Sequence, residues 1–244
     1  MNPCGMASRF LAAVFLCAGC GNLPGRPAPT SIPVDPDNVT DFSLLYHQNC
    51  SGCHGAEAKG GAALSIGDPV YLAIADDATI HKVVSNGIAG TSMPAFAKSA
   101  GGMLTENQVD IIAKGIRTRY SQPDALAGIT PPPYSATEPG DAQRGATVYE
   151  TFCSSCHGAG GKGGAKASSI VDGTFLALLT DQELRTLVIV GRPDLGAPDW
   201  RNNVPGKPMS PGDISDVVAW LAAQRPQFPG RPYPTTAKPA GERP

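Results

Sequence analysis

Apolar residues fall at helical spacing in six short stretches of the chain, and no stretch shows the strict alternation of a half-buried strand. Phe42, Leu45 and Tyr46 make the first stretch, and Ile80, Val83 and Val84 the second. Val109, Ile112 and Ile116 form the third, preceded by Thr105-Glu-Asn-Gln108, the sequence of a capping box. The other three are Val148, Tyr149 and Phe152; Leu184, Leu187 and Val188; and Ile214, Val217, Val218 and Leu221. Ser210 followed by Pro211 marks the start of the last one, with serine at the N-cap and proline at the first helical position. The expected fold class is therefore all-α. Proline-rich segments at 21–36, 121–140 and from Phe228 onward separate and flank these stretches, and read as a tether, a linker and an unstructured tail.

The six stretches are two copies of one pattern. A shift of 103 residues lays Tyr46 on Tyr149, Cys50 on Cys153 and His54 on His157, and Lys59-Gly-Gly-Ala62 on Lys162-Gly-Gly-Ala165. One inserted residue later, a shift of 104 lays Asp68 on Asp172, Leu72-Ala73 on Leu176-Ala177 and Gly87 on Gly191. The boundaries that follow are a leader at 1–19, a tether at 20–37, a first domain at 38–122, a linker at 123–138, a second domain at 139–227 and a tail at 228–244.

Four of the seven cysteines stand in the repeats, as Cys50-Ser-Gly-Cys53-His54 and Cys153-Ser-Ser-Cys156-His157. This is the attachment signature of c-type haem. Two thiols three residues apart can add across the two vinyl groups of one haem, and the adjoining histidine is then held beneath the iron. A chain of this composition gives roughly 0.003 such motifs by chance. Structural disulfides or a redox dithiol would not require a histidine in both copies, and a zinc site needs four converging ligands. The expected cofactors are two covalently bound haem c groups, on Cys50, Cys53 and His54 and on Cys153, Cys156 and His157. A buried haem also supplies core surface to a chain with only 2 Trp, 6 Tyr and 7 Phe.

With the Tyr before each motif, the Gly after it, and Met93-Pro94 in a loop ahead of the third stretch, the sequence resembles the class I c-type cytochromes over both repeats. The resemblance implies two tandem helical domains, each folded around one haem. It also implies that Met93 supplies the sixth ligand of the first iron, leaving Met103 as a packing residue. The second copy departs from the family pattern, because Ala197-Pro198 stands where Met93-Pro94 does. The one methionine in this half, Met209, aligns with Leu104. Either Met209 reaches the iron through a loop reshaped by Pro205, Gly206 and Pro208, or it packs as Leu104 does and the iron stays five-coordinate or takes another group. His47 and His81 read as surface or capping residues, Trp200 as haem-edge packing, and Arg117 and Arg192 as solvated residues or partners of haem propionates.

A net charge of -2 and no basic stripe argue against a nucleic-acid partner. Arg9, the apolar run Phe10–Leu16 and the small residues before Cys20 describe a secretory signal too short to span a membrane. Ala18-Gly19-Cys20 resembles a bacterial lipobox, although Cys17 stands where that pattern usually has leucine. The likeness implies cleavage before Cys20, lipidation of Cys20 and a membrane anchor outside the cytoplasm. The function expected is electron transfer between redox protein partners. The alternatives are service as the redox subunit of a periplasmic dehydrogenase or oxidase complex, and peroxide reduction at an open haem in the second domain.

Overall fold

The computed structural model describes residues 34–226. The leader, Cys20, most of the tether and the tail lie outside them. The chain divides into two compact units, Met1–Asn38 and Val39–Pro244. Of the first, the described part is a short 3-10 turn at Pro36–Asn38. Both repeats belong to the second.

Among the described residues the unit is helical, with isolated bridges at Ala97 to Leu104 and Arg192 to Ala197 in place of strands. The first repeat runs α1 (Phe42–Asn49), α2 (Ser51–His54), α3 (Pro69–Ile74), α4 (Asp77–Asn86) and α5 (Glu106–Tyr120). The second runs α6 (Ala142–Phe152), α7 (Ser154–His157), α8 (Gly173–Ala177), α9 (Asp181–Val190) and α10 (Pro211–Ala222). No helix among the described residues is long and apolar enough to cross a membrane.

Side chains that satisfy the free amides of the first turn fix where each helix begins. Asp41 accepts from Leu44 and starts α1, and Asp141 accepts from Gln143 and Arg144 and starts α6. The expected capping box at Thr105 and Gln108 is present, and Ser210 caps α10 in a box with Asp213. A further box, Thr180 with Glu183, starts α9. The expected apolar stripes are buried in both final helices: Val109, Ile112 and Ile116 in α5, and Ile214, Val217, Val218 and Leu221 in α10.

In each repeat the first and last helices cross closely enough to need a glycine, supplied from opposite sides. A Cβ on Gly145 of α6 would stand 2.0 Å from the Asp216 carbonyl oxygen of α10. In the first repeat the glycine is on the last helix, where a Cβ on Gly115 would stand 2.1 Å from the Phe42 ring. Close to the second crossing, Tyr149 stacks on Trp220 at 4.4 Å between ring centroids. Asp216, almost fully buried, ties α10 to α6 by accepting from the Asp141 amide and from Arg144 Nε at 2.8 Å. The Arg144 guanidinium holds its carboxyl below the usual carboxylate range.

Arg117 is not simply solvated but engaged within the first repeat. It bonds the Leu72 and Ala75 carbonyls at the end of α3, and pairs with Asp77 at 2.7 Å at the start of α4. Arg225 repeats the clamp, on the Leu176 and Leu179 carbonyls and on Asp181. The guanidinium fork carries five donors, enough to satisfy two terminal carbonyls and a carboxylate together.

The two repeats are packed on one another. Helix α3 lies against α9, and Arg192 Nη2 donates to the Gly61 carbonyl at 2.7 Å. Arg192 is held in turn by Asp194 at 2.7 Å, so this arginine is not simply solvated. The proline-rich linker is pinned at several points. Arg185, fully buried on α9, bonds the Pro133 and Tyr134 carbonyls, and Arg201 bonds that of Ala125. No carboxylate faces the Arg185 guanidinium among these contacts, and burial lowers its pKa. With this packing α9 buries Arg185, Thr186, Ile189 and Val190 along with Leu184, whereas Leu187 and Val188 of its expected stripe are only half-buried.

Candidate haem sites

Each motif begins at the junction of two helices. Cys50 ends α1 and precedes α2, with its amide donating to the Tyr46 carbonyl and its own carbonyl accepting from His54 N. Cys153 stands in the same place between α6 and α7, with bonds to Tyr149 and His157. The single turn of helix from Cys to His puts both thiols and the imidazole on one short, rigid segment. The geometry shared by the two repeats extends to the tyrosines: Tyr46 donates its hydroxyl hydrogen to the Gly55 carbonyl at 2.8 Å, and Tyr149 to Gly158 at 2.5 Å.

The glycines after each motif are required by the turn itself. Gly55 and Gly158 have φ of +84° and +74°, and a Cβ there would meet the Lys59 and Gly163 carbonyl oxygens at 1.9 and 2.2 Å. Gly61 approaches the Cys53 carbonyl so closely that a Cβ would stand 2.1 Å from it. The loop thus folds back onto the motif, a tighter constraint than leaving room for a flat ring.

The histidines are set up alike. His54 Nδ1 lies 2.8 Å from the Leu64 carbonyl oxygen, and His157 Nδ1 lies 2.9 Å from that of Ser168. A carbonyl only accepts, so each Nδ1 carries the proton and each Nε2 presents its lone pair. Such a bond orients a ligating imidazole and raises its basicity. Burial lowers the pKa of His54, and the Leu64 bond partly offsets this. The four motif cysteines are free, and burial pushes the Cys50 and Cys153 thiols up to about 12. Next to Leu64, the Ser65 hydroxyl is buried without a hydrogen-bond partner, an orphan beside the first site. Unpaired thiols, a neutral imidazole with a bare Nε2 and this unmet hydroxyl all fit a covalently attached haem.

Further along each repeat, the structure sets two loops in register. In the first repeat Ile88 N donates to the Met93 carbonyl at 3.0 Å, and in the second Arg192 N donates to Ala197 at 2.9 Å. Thr91 N to Ile88 and Leu195 N to Arg192 complete the two turns. Further on, Leu104 N donates to the Phe96 carbonyl at 2.8 Å and Met209 N to Trp200 at 2.9 Å. Met209 is 3 % exposed, and its sulfur accepts from Asn203 Nδ2 at 3.7 Å. Met103 is 77 % exposed, so it does not pack as expected. The turn at Lys98–Ala100, with Gly101 and Gly102 after it, carries it outward. Trp200 is buried with Arg201 over its ring at 5.0 Å. His81 pairs with Asp110 at 3.2 Å, and His47 is exposed on α1, as expected of surface residues.

Two packed helical repeats, each with a thiol pair and an imidazole on one turn, define a dihaem c-type cytochrome. Residues 37–114 and 140–221 match the family model described as cytochrome C oxidase, cbb3-type, subunit III, and the chain belongs to that family. It is 27% identical over 129 residues to the Cbb3-type cytochrome c oxidase subunit CcoP of Azospirillum brasilense, covering 48% of this chain and 39% of that protein. It is 25% identical over 150 residues to the cytochrome bc1 complex cytochrome c subunit of Mycobacterium bovis, covering 60% and 51%. The chain thus spans about half or less of the length of these relatives. Among solved structures, the reducing HAO-like protein complex Kustc0457/Kustc0458 of Kuenenia stuttgartiensis aligns at a TM-score of 0.45 and 15% identity, over 80% of this chain and 100% of that one.

The sequence reading missed the acceptors of the two histidines, because a main-chain carbonyl leaves no residue-type signature. It also missed α3 and α8, whose only signals were Asp68 with Pro69 and Asp172 as N-caps.

Proposed function

We propose that the protein is an electron carrier that receives electrons from one redox protein and passes them to another at a membrane surface. The haems supply one-electron iron chemistry. The chain attaches them through Cys50 and Cys53 and through Cys153 and Cys156, and presents Nε2 of His54 and of His157 to the irons. Met93 is the sixth ligand of the first iron, a pairing that raises its potential. The observation that carries the relay reading is the 2.7 Å bond from Arg192 to Gly61, which joins the loop after the first haem motif to the loop that holds Ala197. It supports a two-step relay, because it ties a loop of one repeat to a loop of the other within one packed unit.

Cys20 is the proposed lipid attachment point, holding the carrier outside the cytoplasmic membrane, where tethering raises its effective concentration near membrane-bound partners. Family membership equally suits a redox subunit of a larger oxidase or dehydrogenase complex, and co-purification with a membrane complex separates that from a free carrier.

Rapid mixing of the fully reduced protein with a ferric small cytochrome c tests the carrier reading. Two electrons should leave each chain, with both haems reoxidised. Turnover of hydrogen peroxide faster than this exchange contradicts the reading and favours a peroxidase.

A further inference from the structure

The geometry points to an exogenous-ligand site at the second haem, taking a neutral diatomic gas of the carbon monoxide and nitric oxide class on ferrous iron. The inference rests on the haem reading above and adds that the two irons are ligated differently.

The argument turns on register, fixed by hydrogen bonds and not by sequence alignment alone. Met93 and Ala197 occupy one backbone position, each accepting through its carbonyl from the residue five places earlier, Ile88 and Arg192. The glycine before each turn confirms the match. A Cβ on Gly87 would meet the Met93 carbonyl oxygen at 2.5 Å, and one on Gly191 would meet that of Ala197 at 2.8 Å. Where the first repeat presents a thioether, the second therefore presents a methyl group, which has no lone pair.

Met209 does not substitute for it. Its amide bonds Trp200 as that of Leu104 bonds Phe96, so it occupies the place of a residue that packs in the first repeat's core. Leu104 is 6% exposed and Met209 3%. The following residue, Ser210, is locked as an N-cap in a box with Asp213, which fixes the chain direction at that point. The sulfur already accepts from Asn203. Other donors nearby are engaged as well. Asp199 is held by Arg201 at 2.6 Å, and the exposed Lys207 ammonium sits 5.1 Å over the Phe152 ring. The second repeat contains no histidine besides His157. An iron bound by haem and one neutral imidazole takes small π-acceptor ligands readily, because nothing has to leave.

Carbon monoxide titration of the full-length ferrous protein, read by absorbance and by ferric-state spectra, tests this. The expected result is one carbon monoxide per chain, half of the total haem. Met209→Leu should leave that stoichiometry and both haem spectra unchanged. Ala197→Met should abolish carbon monoxide binding and double the methionine-to-iron charge-transfer band of the ferric protein. If the wild type binds none and Met209→Leu opens one haem, Met209 is the ligand and the inference falls. If only Lys207→Ala opens it, a lysine ligand overturns the inference equally. Should Ala197→Met fail to fold, the wild-type and Met209→Leu titrations still decide. A chain carrying a single haem would instead defeat the dihaem reading beneath, and the two failures are told apart by haem content.

Discussion

Gly145→Ala is expected to destabilise the protein by about 3 kcal/mol or more, the upper end of the range for overpacking a tight contact. The added methyl would stand 2.0 Å from the Asp216 carbonyl oxygen. That neighbour is backbone and is held by its own helix, so relief requires α6 and α10 to separate. Separation would also disturb the stacking of Tyr149 on Trp220 and the bond from the Asp141 amide to Asp216. For a unit of this size the drop in unfolding temperature is roughly 6–12 °C. The control is Gly212→Ala in the first turn of α10, where a Cβ meets nothing closer than the Ser210 hydroxyl at 3.7 Å. That change should be neutral or slightly stabilising, since alanine favours helix over glycine. Calorimetry on the haem-loaded protein measures both. A shift below about 2 °C for Gly145→Ala would show that the helices part freely, contrary to the crossing described.

Met93→Ala is expected to open the first iron. Carbon monoxide binding should rise by one per chain over the wild type, and the reduction potential of one haem should fall, since a thioether ligand raises the potential of histidine-bound haem. The methionine-to-iron band of the ferric protein should disappear. Folding should survive, because Met93 is only half-buried and its backbone bonds to Ile88 and Thr91 need no side chain. Met103→Ala, a change to an exposed residue on the same segment, should alter none of these readings. Loss of the band in Met103→Ala and its retention in Met93→Ala would reverse the assignment.

Much of this was legible in the sequence, because the relevant information is local. A thiol pair followed by histidine, a Thr-x-x-Gln box and a serine before a proline are written in consecutive residues, and the structure places helices where they predict. The shift between copies was equally legible and located Ala197 and Met209 opposite Met93 and Leu104. What stayed hidden depends on main-chain acceptors and on distant partners. Leu64 and Ser168 orient the histidines through carbonyls that any residue carries. Arg117 and Arg225 clamp helix ends some 45 residues away in sequence, and Arg225 falls three positions later than the repeat register of the last helices predicts, about one helical turn along. The contact between repeats through Arg192 and Gly61 spans 131 residues, and no periodicity reveals it. Short helices such as α3 offer too few residues for a periodic signal, and only their caps mark them.

The most direct test of the account is the intact mass and haem content of the protein matured in a host that attaches c-type haem, with two variants beside it. The wild type should carry two haems that survive denaturation and organic extraction. Cys50→Ser with Cys53→Ser, and separately Cys153→Ser with Cys156→Ser, should each carry one. A wild-type mass with one haem or none, or a double variant that keeps both, would contradict the assignment of a haem to each repeat.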